Sequence, residues 1–333
     1  MRLNARAVLY VTLVLLALAC AGSLMLGASS VSAGETLRAL TGAEVTQKAH
    51  RIVYYVRLPR LLAALLAGAS LSLAGLLLQE VLMNPLASPG VIGVNAGAGL
   101  VALVVMVFFP DRLRVVPFAA FSGALMTALT VYFLARLTGA SKSSVVLAGV
   151  AISSLLAACM DGVVTLIPDA AGSRSAFSIG GFGQTTMDQL AFALPLCAIG
   201  MLAAVLFRRE LSILSLGDEV ARGLGVRVGR CRLVLLTAAA LLAGGAVSFS
   251  GLIGFVGLIT PHAARALTKG EEGYLMPVSM ALGALLCVVC DLAARTVFSP
   301  YELPVGVVLS FIGAPFFLFL LFRRKRSNRH DEA

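Results

Sequence analysis

About ten long apolar runs succeed one another along this chain, a pattern that suits a lipid bilayer rather than a water-soluble core. They lie near residues 7–28, 58–82, 91–109, 115–136, 144–167, 189–207, 232–249, 252–268, 274–297 and 304–322. Each is close to the roughly 20 apolar residues that a helix needs to cross a hydrocarbon core. The run at 252–268 is the most easily broken, because Gly251, Gly254, Gly257 and Pro261 interrupt it. A broken helix at membrane depth is tolerated where it faces a cavity or other protein. With 59% of 333 residues hydrophobic and only 13% charged, the expected class is all-α, a polytopic transmembrane bundle.

The formal charge of +10 is a topology signal, and no nucleic-acid role is read from it. With ten spans, Arg2, Arg6, Arg136, Lys142, Arg208, Arg209, Arg222, Arg227, Arg230, Arg232, Lys269 and the basic tail 323–333 share one side. Fewer cations fall on the other: Arg38, Lys48, Arg51, Arg57, Arg60, Arg112, Arg114 and Arg174. The positive-inside rule therefore puts both termini and the loop 208–232 in the cytoplasm.

An internal repeat is visible. AALLAGASLSLAGLLLQEVLMNPLA (Ala63 to Ala87) aligns without gaps to AALLAGGAVSFSGLIGFVGLITPHA (Ala239 to Ala263), matching Gly68 with Gly244, Ser72 with Ser248, Gly75 with Gly251 and Pro85 with Pro261. The copies begin in the second and seventh spans, so they run in opposite directions, as the inverted repeats of transporters do. Chance similarity between small-residue packing helices is the alternative. The expected organisation is a single domain over 1–333, with one repeat at about 57–168 and the other at about 232–322.

Several chemistries lack their residues. No Lys sits in a Gly-Lys-Ser or Gly-Lys-Thr turn, so ATP and Mg, if used, belong to another chain. His50, His262 and His330 are isolated, which leaves no metal cluster in the pattern. Cys287 and Cys290 form a C-x-x-C, but inside an apolar run, and the six cysteines are read as small hydrophobes. Ala17-Leu18-Ala19-Cys20 imitates a lipoprotein signal without its large aliphatic residue, and a retained first span is expected instead.

The loop RRELSILSLGDEVARGLGVRVGRCR, Arg208 to Arg232, stands out as polar between apolar runs. Leu211, Leu214, Leu216, Val220 and Leu224, with Asp218, Glu219 and Arg222 between them, suit one short amphipathic helix. Gly217 marks its start, and Gly223 and Gly225 its stop. Its apolar stripe has two homes on these grounds: a groove on another protein, or the lipid headgroups.

QEVLMNPLASPGVIGVNAGAG (Gln79 to Gly99), LAGVA (Leu147 to Ala151), LSLGDEVARGLGV (Leu214 to Val226), SFSGLIGFVGLITPHAAR (Ser248 to Arg265) and ELPVGVVLSFIGAPFFLFLL (Glu302 to Leu321) carry a resemblance. They resemble the permease subunits of ABC importers for iron-siderophore complexes, haem and vitamin B12. The resemblance implies a homodimer in a bacterial or archaeal inner membrane, two ATP-binding subunits on the cytoplasmic face and an external substrate-binding protein. It implies alternating access and no enzymatic step in this chain, with an iron chelate or a cobalamin-like chelate as cargo.

It also assigns residues. Leu214, Gly217, Asp218, Glu219, Ala221, Arg222 and Gly225 become the ATPase-coupling contact. Arg57, Arg60 and Arg295 fall where the family offers arginines to acidic residues of the binding protein. The alternatives for them are headgroup anchoring and, for Arg295, an i, i+4 pair with Asp291. Ser141, Lys142, Ser143 and Ser144 occupy the place of the cytoplasmic gate, or else an ordinary tight loop with Ser144 capping the next helix. Asp161, a charge inside the fifth span, is either a pathway residue or a bonded packing position. His262 is read as a packed helix residue, and FSIGGFGQ (Phe177 to Gln184) lacks the family's usual Trp.

Two rivals remain on sequence grounds. An ion-coupled secondary transporter would want more acids within the membrane, and a membrane enzyme would want a nucleophile with its base.

Overall fold

The structure is a computed structural model that describes residues 4–27, 31–90, 92–137, 142–297, 299 and 301–331. The apolar runs become helices. In chain order these are α1 (Ala5–Met25), α2 (Ala33–Leu40), α3 (Gln47–Ile52), α4 (Leu58–Val81), α5 (Val94–Phe108), α6 (Val116–Leu137), α7 (Lys142–Leu166) and α8 (Ala170–Ile179). After them come α9 (Met187–Leu206), α10 (Arg208–Ser215), α11 (Asp218–Gly223), α12 (Val228–Ser250), α13 (Val256–Thr268), α14 (Glu272–Thr296) and α15 (Val305–Asp331). A π-helical turn, Val53–Arg57, joins α3 to α4 without a break.

Among the described residues seven helical stretches are long and apolar enough to cross a membrane. Those of α5 and α15, Val94–Phe108 and Val305–Phe319, are shorter apolar segments. Every run read from the sequence holds a helix, yet α13 is shorter than its run because Gly251 to Phe255 is unwound. Glycines at 251 and 254 remove the backbone restraint there, and Phe255 takes a left-handed φ of 65°.

The unwound backbone is not left unbonded. Leu252 donates its N–H to the Phe177 carbonyl at 2.9 Å, and Gly181 donates to Ser250 at 2.8 Å. Gly306, at the start of α15, donates to the Gly180 carbonyl at 3.3 Å. The last turn of α8 and the residues after it thus supply the partners that the α12–α13 break and the α15 start require at membrane depth.

At the centre stands α4, packed against α14, α12 and α13. Lipid offers no hydrophobic drive between helices, so close backbone approach has to hold them. Small residues supply it: a side-chain carbon at Gly68 would land on the Gly283 carbonyl, and one at Gly75 on that of Gly257. Between these contacts the Ser72 hydroxyl donates to the Ser279 carbonyl at 2.6 Å, and Thr260 donates to Ser72 at 2.7 Å.

The packing pattern has the symmetry that the repeat calls for. Gly68 of α4 meets α14 at Gly283 and Ala284, while its counterpart Gly244 of α12 meets α6 at Phe121 and Ala124. Exchanging α4 with α12 and α6 with α14 maps one pair onto the other. The start of α4 lies near the end of α12, since Arg60 approaches Gly183 and Gly181 bonds Ser250. Leu78, near the end of α4, lines one small space with Leu236 and Ala239 of α12. The two copies therefore run antiparallel.

Candidate functional site

The bundle has two ends with different chemistry. One gathers the loop 208–232, Glu80, Arg265 and Tyr274; the other gathers Arg57, Arg60, Asp291 and Arg295.

At the first end the single amphipathic helix expected from the sequence is two. α10 follows α9 after a break at Phe207, and Gly217, at φ 111°, turns the chain into α11. α11 begins with Asp218 and Glu219 and ends with Arg222, so its charges oppose the helix dipole. It closes as a Schellman motif: Gly225, at φ 82°, donates to Arg222, and Val226 donates to Ala221. Asp218 accepts two hydrogen bonds from Arg232 of α12, at 2.8 and 3.1 Å, which clamp α11 to a long helix.

This geometry divides the predicted coupling residues. Leu214 and Ala221 are buried in the chain's own core, as is Leu211, so the stripe does find a home within the bundle. Asp218 is engaged by Arg232, and Gly217 and Gly225 shape the turns. Glu219 and Arg222 are exposed. The apolar surface actually presented is Leu216, Val220 and Leu224, at 61%, 47% and 61% exposure. These three were in the apolar pattern but not among the predicted contacts; the break at Gly217 decides which side chains turn outward.

Behind this segment Arg265 of α13 bonds Glu80 at 2.8 Å and the Gln79 carbonyl oxygen of its side chain at 2.8 Å. Gln79 in turn donates to the Gly257 carbonyl at 3.0 Å. The sequence reading singled out none of these three for a role, although Gln79 opens one matched motif and Arg265 closes another.

At the opposite end the three arginines expected at the surface turn inward. Arg60 donates from Nε to both oxygens of Asp291, at 2.9 and 3.1 Å, and from Nη1 to Glu302 at 2.7 Å. Arg295 lies 3.5 Å from Asp291 and donates to the carbonyl and hydroxyl of Ser23, both at 2.6 Å. Arg57 donates to the Leu24 carbonyl at 2.7 Å and the Thr36 hydroxyl at 2.8 Å. All three are buried, because charges at this depth need partners within the protein. Of the sequence readings, the Asp291–Arg295 i, i+4 pair is present, and Arg60 joins it from another helix.

Asp161 of α7 pairs with Arg174 of α8 on an exposed surface, so it is a bonded residue in this structure. Ser141 lies outside the described residues, and so do the side chains of Lys142, Ser143 and Ser144. His262 meets Phe316 edge to face, with ring centres 6.1 Å apart.

Comparison with known proteins places this architecture. The FecCD transport family matches residues 14–323. The hemin transport system permease protein HmuU of Yersinia pestis is 37% identical over 335 residues, covering 97% of this chain and 98% of the relative. The iron(3+)-hydroxamate import system permease protein FhuG of Bacillus subtilis (strain 168) is 34% identical over 325 residues, 95% of this chain and 96% of that one. A solved metal-chelate type ABC transporter in an inward-facing conformation superposes with a TM-score of 0.82 at 28% identity, covering 95% of this chain and 98% of that chain. This chain is a multi-pass membrane protein with the fold of a metal-chelate ABC permease. It belongs to the FecCD transport family.

Proposed function

We propose that this chain is the permease subunit of an ABC importer that carries an iron chelate, such as a siderophore, citrate or haem complex, into the cytoplasm. The observation that carries the reading is the α10–α11 unit. A short helix, clamped to α12 by Asp218 and Arg232, and its two flanking residues leave Leu216, Val220 and Leu224 exposed beside the charged Glu219 and Arg222. A rigid apolar surface of this kind suits docking on an ATPase, whose closure then passes to the membrane helices as a coupling free energy. ATP and Mg would be bound by that partner. The hemin and hydroxamate permeases among the relatives support the cargo class.

In this reading two copies of the chain meet two ATP-binding subunits on the cytoplasmic side of the inner membrane, where both termini lie. A substrate-binding protein delivers the chelate from outside, and alternating access moves it along the dimer axis. The exposed apolar side chains Leu147, Val150 and Leu155 of α7 and Phe311 of α15 are available to line the axis or meet the second copy. Any binding-protein carboxylate reaching Arg60 would have to compete with Glu302 for it. Ser141 to Ser144 keep their proposed place as the cytoplasmic gate, and Asp161 with Arg174 is a candidate for the pathway.

Reconstitution tests this. The chain, reconstituted with an ATPase and a binding protein that copurify with it, should take up a radiolabelled ferric chelate into proteoliposomes only with ATP, binding protein and chelate all present. Uptake driven by a proton or sodium gradient without ATP would sink the importer reading.

A further inference from the structure

At the α10 end a cleft of about 1730 Å³ opens between the α9–α10 junction, the start of α12, the α13–α14 connection and the end of α4. Its floor is apolar, with Leu76, Val205, Leu211, Val234 and Met276 among the lining residues. Its rim is basic. Arg208, Arg209, Arg227 and Arg230 line it, all exposed, and among the described residues their guanidiniums make no ion pair or hydrogen bond. The fifth arginine, Arg265, is tied to Glu80. Glu210 and Glu272 also line the cleft, which leaves positive charge in excess.

The position of the cleft decides what it suits. Along α9, Leu194, Ile199, Leu202, Val205 and Leu206 are exposed, an apolar stripe that runs down to the rim and stops at Arg208 and Arg209. The chain passes there from hydrocarbon to headgroup level. A diacyl lipid has this same profile, with chains for the stripe and floor and a charged phosphodiester for the rim. Arginine suits the headgroup because its planar fork meets phosphate oxygens bidentately. A free phosphate or an acidic protein segment would satisfy the arginines but leave the apolar floor and the α9 stripe uncovered.

We propose that this cleft is an anionic phospholipid site, with the phosphodiester held among Arg208, Arg209, Arg227 and Arg230 and the acyl chains lying on the apolar floor and α9. Basic pockets between membrane helices are a known way of recognising acidic headgroups. One wall of the cleft is α10, so the bound lipid braces the segment that carries Leu216 and Val220.

The test uses the full chain in mild detergent, offered equal amounts of dioleoyl phosphatidylglycerol and dioleoyl phosphatidylcholine, with retained lipid counted by native mass spectrometry. Phosphatidylglycerol should be retained preferentially. Arg227→Gln/Arg230→Gln should lower its retention at least about tenfold. Arg208→Gln/Arg209→Gln, on a different helix, should do the same, so a folding defect in one variant does not decide the matter. Arg112→Gln/Arg114→Gln, between α5 and α6 at the opposite end, should leave retention unchanged. Equal retention of the two lipids, or retention unaltered in both cleft variants, overturns the proposal. Displacement by inorganic phosphate at matched concentration would make this a free-anion site, and quantitative displacement by a copurified ATP-binding partner would make it a protein interface; either result overturns it as well.

Discussion

Arg60 of α4 and Asp291 of α14 face each other across the central helix pair at 2.9 Å, and Asp291 also neutralises Arg295 one turn along its own helix. One carboxylate, 1% exposed, therefore serves two guanidiniums. Removing the shared member is worse than removing either satellite, because it leaves the buried Arg295 with no carboxylate and Arg60 with Glu302 alone. Asp291→Ala is expected to cost about 3–5 kcal/mol. Arg60→Ala leaves Arg295 on Asp291 and should cost less. The buried thiols of Cys197 and Cys287 offer a readout, since a thiol-reactive dye labels them only on unfolding. Equal midpoints for the two variants would show that Asp291 is not shared.

Gly75 and Gly257 set how closely α4 and α13 approach. Gly75→Ala should destabilise by about 1–3 kcal/mol, since the added methyl meets a carbonyl that cannot move without its helix. Gly229→Ala in α12, with nothing within 4 Å, should be neutral or slightly stabilising. Thermal unfolding of both in the same detergent checks the contrast.

Leu214 and Val220 separate fold from docking. Leu214→Ala should lose about 2–5 kcal/mol through a core cavity. Val220→Asp, on the exposed side of α11, should leave the melting temperature near wild type while abolishing copurification of an ATP-binding partner. If Val220→Asp melts early, or keeps its partner, the exposed surface of α11 is not the docking face.

Glu35 gives a pH test outside the spans. It closes a capping box on α2, and the hydrogen bonds from the Ser32 backbone and hydroxyl hold its carboxyl below the usual range. A depressed carboxylate stabilises fully above its unfolded pKa, about 4.3, and that contribution is lost as pH falls through the lower folded value. Amides at the start of α2 should therefore exchange faster in acid, relative to their intrinsic rates, than at neutral pH. Glu35→Gln should flatten the dependence.

Much of the fold was legible because lipid leaves few options. Runs of the right length in apolar residues became α1, α4, α6, α7, α9, α12 and α14 with ends close to those read, and glycines marked the break before α13. What escaped was the direction of individual side chains. Leu214 and Leu216 are alike in composition, but two positions at the end of α10 turn through about 200°, so one is buried and the other exposed. Arg57 and Arg60 sit where a loop meets a span, and nothing in one dimension shows that Leu24, Asp291 and Glu302 wait for them. Partners separated by more than two hundred positions, as Arg60 and Asp291 are, lie beyond any local pattern.

The lacing of Phe177, Gly180 and Gly181 to Leu252, Ser250 and Gly306 has a consequence for how this end can be altered. Three stretches far apart in sequence share one set of backbone bonds, and so behave as a single mechanical part with three inlets. Lengthening any one stretch shifts the register of the other two. Epitope tags and reporter insertions at this face belong instead near Gly42, where a turn leaves open space around the chain.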